Sequence, residues 1–280
     1  MEKAIKRYFP IFVLPTMIAF TLGFIIPFAE GVYLSFCKFT TVNDAKFIGL
    51  SNYGKVFKDS TFVHAFWYTA AFTVVSVILI NVLAFAVALL LTKGIKGTNV
   101  FRTVFFMPNL IGGIVLGYIW QLLLNGILMK FSRTLTYSST FGFWRLVILM
   151  CWQQIGYMMI IYIAGIQNIP GELIEAAEID GATKRQVLKS VTIPMVMPSI
   201  TVCTFLTLTN SFKLFDQNLA LTNGEPSKMS EMLALNIFTT FYGRAGYEGV
   251  GQAKAVIFFI LVAAIALTQN YLTRRKEVQQ

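Results

Sequence analysis

The sequence predicts an all-α integral membrane protein with six transmembrane helices and a cytoplasmic helix-turn-helix elbow between the fourth and fifth. Three observations carry that expectation. The 280 residues are 56% hydrophobic and only 13% charged, against about 25% charged in an ordinary soluble domain. Six runs lack Asp, Glu, Lys and Arg over roughly the 20 residues that a hydrocarbon core requires. A compact charged segment, from Glu175 to Lys189, stands between two of those runs.

The first run covers 8–29 and continues towards Cys37, giving a span of about 8–37. It follows Lys3, Lys6 and Arg7, as a signal peptide would. It is longer than a signal core and lacks a clear small-residue cleavage site, so it reads as a retained span. The others are 66–91, 103–124, 146–166, 191–212 and 255–273, and the whole chain, 1–280, reads as one transmembrane domain. With the N-terminus inside, the cytoplasmic segments hold Lys3, Lys6, Arg7, Lys93, Lys96, Arg102, Lys184, Arg185, Lys189, Arg274, Arg275 and Lys276. That is 12 of the 23 bases, so the raw count decides nothing. Density does decide, because these bases crowd short segments at span ends, whereas the outer connections 30–65, 125–145 and 213–254 dilute theirs. Both termini are therefore expected in the cytoplasm.

In the outer connections, "FIGLSNYGKVF" (47–57) carries Gly49, Gly54 and Lys55 at the spacing of a phosphate-binding loop. Val56 stands where such a loop needs the Ser or Thr that holds magnesium. The segment reads as amphipathic and surface-bound, and no ATP hydrolysis is expected of this chain. Asn223 to Glu225 reads as a turn ended by Pro226. After it, 227–243 has Met232, Leu235, Phe238 and Phe241 near one helical face, as in a helix at the outer interface or packed on the bundle.

Several classes are excluded. The net charge of +10 fits bases flanking spans beside anionic lipid, and no basic stripe or aromatic-basic module speaks for nucleic acid. Cys37, Cys151 and Cys203 are odd in number and unpaired in spacing, and so read as packing residues, neither disulfides nor zinc ligands. His64 is the only histidine, which leaves no metal site. There is no H-E-x-x-H and no nucleophile elbow, so no catalytic residue is assigned.

In the charged segment, Pro170 suits a helix start, and Glu172, Glu175 and Glu178 follow at three-residue spacing near the positive end of the helix. Asp180-Gly181 breaks that helix. Glycine permits a positive φ, and Asp180 is expected to cap a second helix from Ala182 towards Ser190. Pro194 and Pro198 mark the start of the fifth span. The elbow spans 170–190, with the small residues Ala176, Ala177, Gly181 and Ala182 at its bend, where another backbone can approach closely.

Glu175-Ala176-Ala177, Asp180-Gly181-Ala182, Gln186, Ile193-Pro194 and Pro198 together resemble the E-A-A-x-x-D-G-A signature loop of permease subunits in binding-protein-dependent ABC importers. Arg185 and Leu188 depart from the aromatic residues common there. "FIGLSNYGKVF", the third-span stretch 96–125 and "SFKLFDQNLALTNGEP" (211–226) are similar to segments of the maltose-type and multiple-sugar permeases. The resemblance covers almost the whole chain. It implies a bacterial or archaeal cytoplasmic membrane, a second permease as partner, two ATP-binding cassette subunits that carry ATP and magnesium, and an extracytoplasmic sugar-binding protein. No cofactor is implied on this chain. It further implies that Glu175 pairs with a basic ATPase residue, that Ala176, Ala177 and Ala182 form the contact surface, and that Asp180 and Gly181 set the bend.

A sugar pathway needs polar groups inside the bundle, because polar residues are costly towards lipid and face a cavity or another helix. The candidates are Gln153, Gln154 and Tyr157 in the fourth span, and Thr207, Asn210 and Ser211 in the fifth. Trp120 and Gln121 in the third could offer a stacking face. Glu30, Lys213 and Asp216 keep open a proton-coupled secondary transporter, and glycerol phosphate or another polar solute stays open within the importer class.

Overall fold

In hydrocarbon every backbone N–H and C=O must find an internal partner, so uncharged apolar runs close into helices. The computed structural model describes residues 2–130 and 138–274. Arg275, Lys276 and the side chains of Lys3, Lys6, Arg7 and Arg274 lie outside what is described, as does 131–137. Helix α1 (Glu2–Phe20) passes through a π-helical turn at Thr21–Ile25 into α2 (Ile26–Leu34), where Pro27 cannot donate to the ladder. Long helices follow at α4 (Ser60–Leu91), α7 (Ser139–Gln167) and α14 (Glu248–Arg274). Among the described residues four helices are long and apolar enough to cross a membrane, namely Ile11–Leu34, Ser60–Leu91, Ser139–Gln167 and Glu248–Leu272.

The third and fifth runs differ from the expectation of straight spans. The third is α5 (Thr98–Phe106) with a 3-10 turn at Met107–Leu110, then α6 (Gly113–Met129), and the two arms are bent by 100°. Pro108 lacks an N–H, and Ile111 and Gly112 are extended at ψ 130° and 140°, so 103–124 cannot continue as one helix. The fifth run bends by 69° between Lys184–Met195 and Met197–Phe212, among the prolines that marked it. The count is six only if each bent pair makes one crossing. Two further boundaries move outward: α7 takes in Arg145, which is buried with its guanidinium over the Phe141 ring, and α14 takes in buried Lys254.

Two compact units can be distinguished, each described by itself. One holds the chain up to Ser60 together with Ile237–Ile260. It includes a small departure from all-α, a two-residue antiparallel ladder of β1 (Cys37–Lys38) with β2 (Lys46–Phe47), followed by α3 (Ser51–Lys58). Asn52 of α3 is buried and donates to the carbonyls of Ser35 and Cys37 at 2.9 and 2.8 Å. Lys254 is fully buried, pairs with Asp59 at 2.8 Å and donates to Thr240 at 2.8 Å.

The second unit holds Thr61–Asn236 and the chain from Leu261 onward. Its core is built from Phe72, Ile80, Leu146, Leu149, Met158, Met159 and Tyr162. Gly156 lets α5 lie against α7, because a Cβ there would run into the Phe105 carbonyl. The segment after Pro226 turns with Ser227 and Lys228 at φ 50° and 65°, so the expected helix 227–243 starts only at α13 (Leu233–Gly243). Met232 and Leu235 are buried as the pattern suggests, but Phe238 is 40% exposed. The buried positions Asn236 and Thr240 show why: polar residues share the inward face, and an apolar count misses them.

Candidate functional site

The elbow is built from local capping. Pro170 precedes α8 (Gly171–Ile179), with Glu172 in its first turn. The helix ends in a Schellman arrangement: Ala182 N–H donates to the Ala177 carbonyl at 2.9 Å, Gly181 N–H to the Glu178 carbonyl at 3.0 Å, and Gly181 sits at φ +78°. Asp180 is the last residue of that cap and does not start the next helix, contrary to expectation. Thr183 does, with Thr183 Oγ1 accepting from Gln186 N–H and Gln186 Oε1 accepting from Thr183 N–H at 2.8 Å. Helix α9 (Lys184–Val187) then runs through a π-helical turn at Leu188–Thr192 into α10 (Ile193–Met195), and α11 (Met197–Phe212) follows the bend.

Glu175, Ala176, Asp180 and Gly181 are exposed, while Ala177 and Ala182 are half-buried. A shallow cleft of about 310 Å³ lies between the two arms, lined by Ala177, Asp180, Gly181, Ala182, Gln186 and Val187. Beside it Ile179 is 85% exposed. Small residues, a rigid double cap and a protruding isoleucine make a surface suited to being gripped.

A second cleft, of about 270 Å³, lies within the larger unit. It gathers Gln154 from α7, Asn210 from α11, Lys213 and Leu214 after α11, and Asp216 and Gln217 from α12 (Asp216–Leu221). Gln154 is 8% exposed, and its Oε1 has no hydrogen-bond partner among the described residues. The structure thus brings two pathway candidates, Gln154 and Asn210, together with Lys213 and Asp216, the charges noted at the end of the fifth run. Helix α12 packs closely on α6: a Cβ on Gly113 would come within 2.7 Å of Asp216 Cβ, and one on Gly117 within 2.8 Å of Ala220 Cβ.

The remaining candidates are placed elsewhere. Gln153 accepts from Gln217 at 2.7 Å and donates to the Ile111 carbonyl at 3.3 Å. Gln121 donates to the Leu221 carbonyl at 3.4 Å, and Trp120 sits 5.6 Å from Trp152. Tyr157 packs with Phe106. Thr207 is fully buried and accepts from Asn81, which in turn accepts from the Tyr162 hydroxyl at 2.7 Å. Ser211 is fully buried, with its hydroxyl unpartnered among the described residues. Glu30 is exposed on α2. Gln217 and Asn81 are the polar residues that sequence reasoning passed over. The signal for Asn81 was a lone amide in an otherwise apolar run; for Gln217 it was adjacency to Asp216. Among the described residues no group of three His, Cys, Asp or Glu could hold a metal ion.

Comparison with known proteins gives these sites their context. The family described as binding-protein-dependent transport system inner membrane component matches residues 85–278. The probable starch degradation products transport system permease protein AmyD of Thermoanaerobacterium thermosulfurigenes is 43% identical, over 96% of this chain and 94% of its own. The trehalose/maltose transport system permease protein MalF of Thermococcus litoralis is 28% identical, over 91% and 90%. Among solved structures, a bacterial alginate ABC transporter in complex with an alginate pentasaccharide-bound periplasmic protein contains a chain with the same fold. Its TM-score is 0.81 at 20% identity, over 98% of this chain and 97% of that one. The chain is a multi-pass membrane protein and belongs to the binding-protein-dependent transport system inner membrane component family.

Proposed function

We propose that this chain is one of two permease subunits of an ATP-driven importer that moves a sugar or oligosaccharide into the cytoplasm. The likeness to a starch-product permease over nearly the full length of both chains is the observation that carries the reading. In it, both units serve one transmembrane domain with N- and C-termini in the cytoplasm. ATP and magnesium act on two separate cassette subunits, and an extracytoplasmic binding protein delivers the sugar. The elbow 170–190 seats in a cassette subunit, with Glu175 meeting a base there, Ala176, Ala177 and Ala182 in contact, and Asp180 and Gly181 holding the bend. Rigid-body motion of the cassettes reaches the spans through that contact. The cleft around Gln154 and Asn210 lies on the sugar's path, its amides and carboxylate matched to hydroxyls that both donate and accept.

The test is uptake by proteoliposomes holding this chain with a second permease, the cassette subunits and a binding protein from the same organism. Uptake of maltotriose or trehalose that needs internal ATP and ignores a proton gradient supports the proposal. Uptake driven by the gradient without ATP refutes it in favour of a secondary transporter. Lys213 in the cleft is the one observation favouring an anionic solute. Uptake of glycerol phosphate but of neither sugar would select that reading.

A further inference from the structure

Two side chains in series join the cleft to the break in the third run. Gln217 lines the cleft and donates from Nε2 to Gln153 Oε1, and Gln153 donates from its own Nε2 to the Ile111 carbonyl. Both side chains are buried, Gln153 at 5% exposed and Gln217 at 9%. Ile111 is extended beyond the 3-10 turn, so no helical N–H comes to its carbonyl, whereas the Gly112 carbonyl already takes the Leu116 N–H at 2.9 Å. A carbonyl inside a membrane span needs a partner, since lipid offers none. Two amides in series supply it. They join α12 to α7, and α7 to the break between α5 and α6.

We infer that Gln217 and Gln153 are positioning residues that tie occupancy of the cleft to the angle between α5 and α6. The inference rests on reading the cleft as part of the sugar pathway. A sugar hydroxyl beside the unpartnered Gln154 Oε1 and the Asp216 carboxylate also draws on the neighbouring Gln217 amide. The Gln217–Gln153 bond then loosens and Gln153 gives up the Ile111 carbonyl. That carbonyl regains a partner only when α5 and α6 change angle, which makes the two arrangements discrete. An amide suits the task because it accepts at one end and donates at the other, so a demand at the cleft becomes a loss at the break. Helix α12 lies directly on the first turns of α6 at Gly113 and Gly117, so the moving part and the relay are in contact.

The experiment uses the whole transporter with its binding protein, and spin labels at Val104→Cys and Leu122→Cys. These exposed positions lie one on each arm, and the three native cysteines, all buried, are replaced. Inter-label distances are read with and without maltotriose or trehalose, alongside sugar affinity and sugar-stimulated ATP hydrolysis. In the parent, sugar shifts the distance. In Gln153→Met the shifted distance is present without sugar and sugar adds nothing. Affinity is retained, while stimulation falls about tenfold, the scale of one lost buried hydrogen bond. Gln217→Met likewise fixes the arms. A sugar-dependent shift of parental size in Gln153→Met overturns the relay, as does a parent whose hydrolysis responds to sugar while its arms stay fixed. A parent whose arms and hydrolysis both ignore sugar overturns the sugar reading itself.

Discussion

Gly181 holds φ +78° at the close of α8. Any Cβ is strained there, and a branched one most of all, at about 1–2 kcal/mol. Space is not the constraint, since nothing lies within 4 Å of a Cβ at that position. Gly181→Val is therefore expected to insert and assemble normally while uptake falls and ATP hydrolysis uncouples from sugar. Parental transport rates in proteoliposomes would refute this role for the glycine. The bend was legible because glycine after aspartate at the end of a helical run admits few conformations. The cap of the following helix was equally legible and went unread. Thr183 and Gln186 stand at capping-box spacing, although Asp180 is by type the stronger capping residue. It could not serve, because Gly181 and Ala182 already turn the chain away from it.

Apolar runs located the long helices well, because hydrocarbon rewards composition over the length of a span. They could not show where a span breaks, since hydropathy says nothing about the direction of an axis. Pro108 with Gly112 and Gly113 was the available sign of the 100° bend. Charge misled at the last run, which seemed to begin after Lys254 because an isolated cation does not sit in a span. Its partner Asp59 is 195 residues away in sequence, so the pairing is visible only after folding. That pair and Thr240 bind the start of α14 to the end of α3 and to α13. Lys254→Met takes the buried ammonium from beside the Asp59 carboxylate, and its expected cost is about 3 kcal/mol, as for breaking other buried ion pairs. Adding Asp59→Asn should recover much of it. Thermal unfolding in detergent reads both, and equal midpoints for parent and Lys254→Met would show that the pair adds no stability.

Two candidate surfaces stand out among the described residues, and the sequence shows them unequally. The elbow is contiguous in sequence, so its motif could be read directly. The cleft draws on α7, α11 and α12, and only part of its lining was anticipated. Thr207 looked equivalent to Asn210, yet three residues along a helix point it to Asn81 instead of the cleft. Ile179 carries a different kind of significance, one for the cell's supply of subunits. A side chain that is 85% exposed, on a tip that the proposed function places against a cassette subunit, marks a contact left unmade when that subunit is missing. Made in excess of its ATPase, the protein should be short-lived, and Ile179→Ser should prolong its life in that setting alone. Pulse-chase with and without the ATPase gene decides it; equal half-lives would reject the idea. One exposed isoleucine would then count the protein's copies, keeping synthesis of this subunit in step with synthesis of its proposed partner.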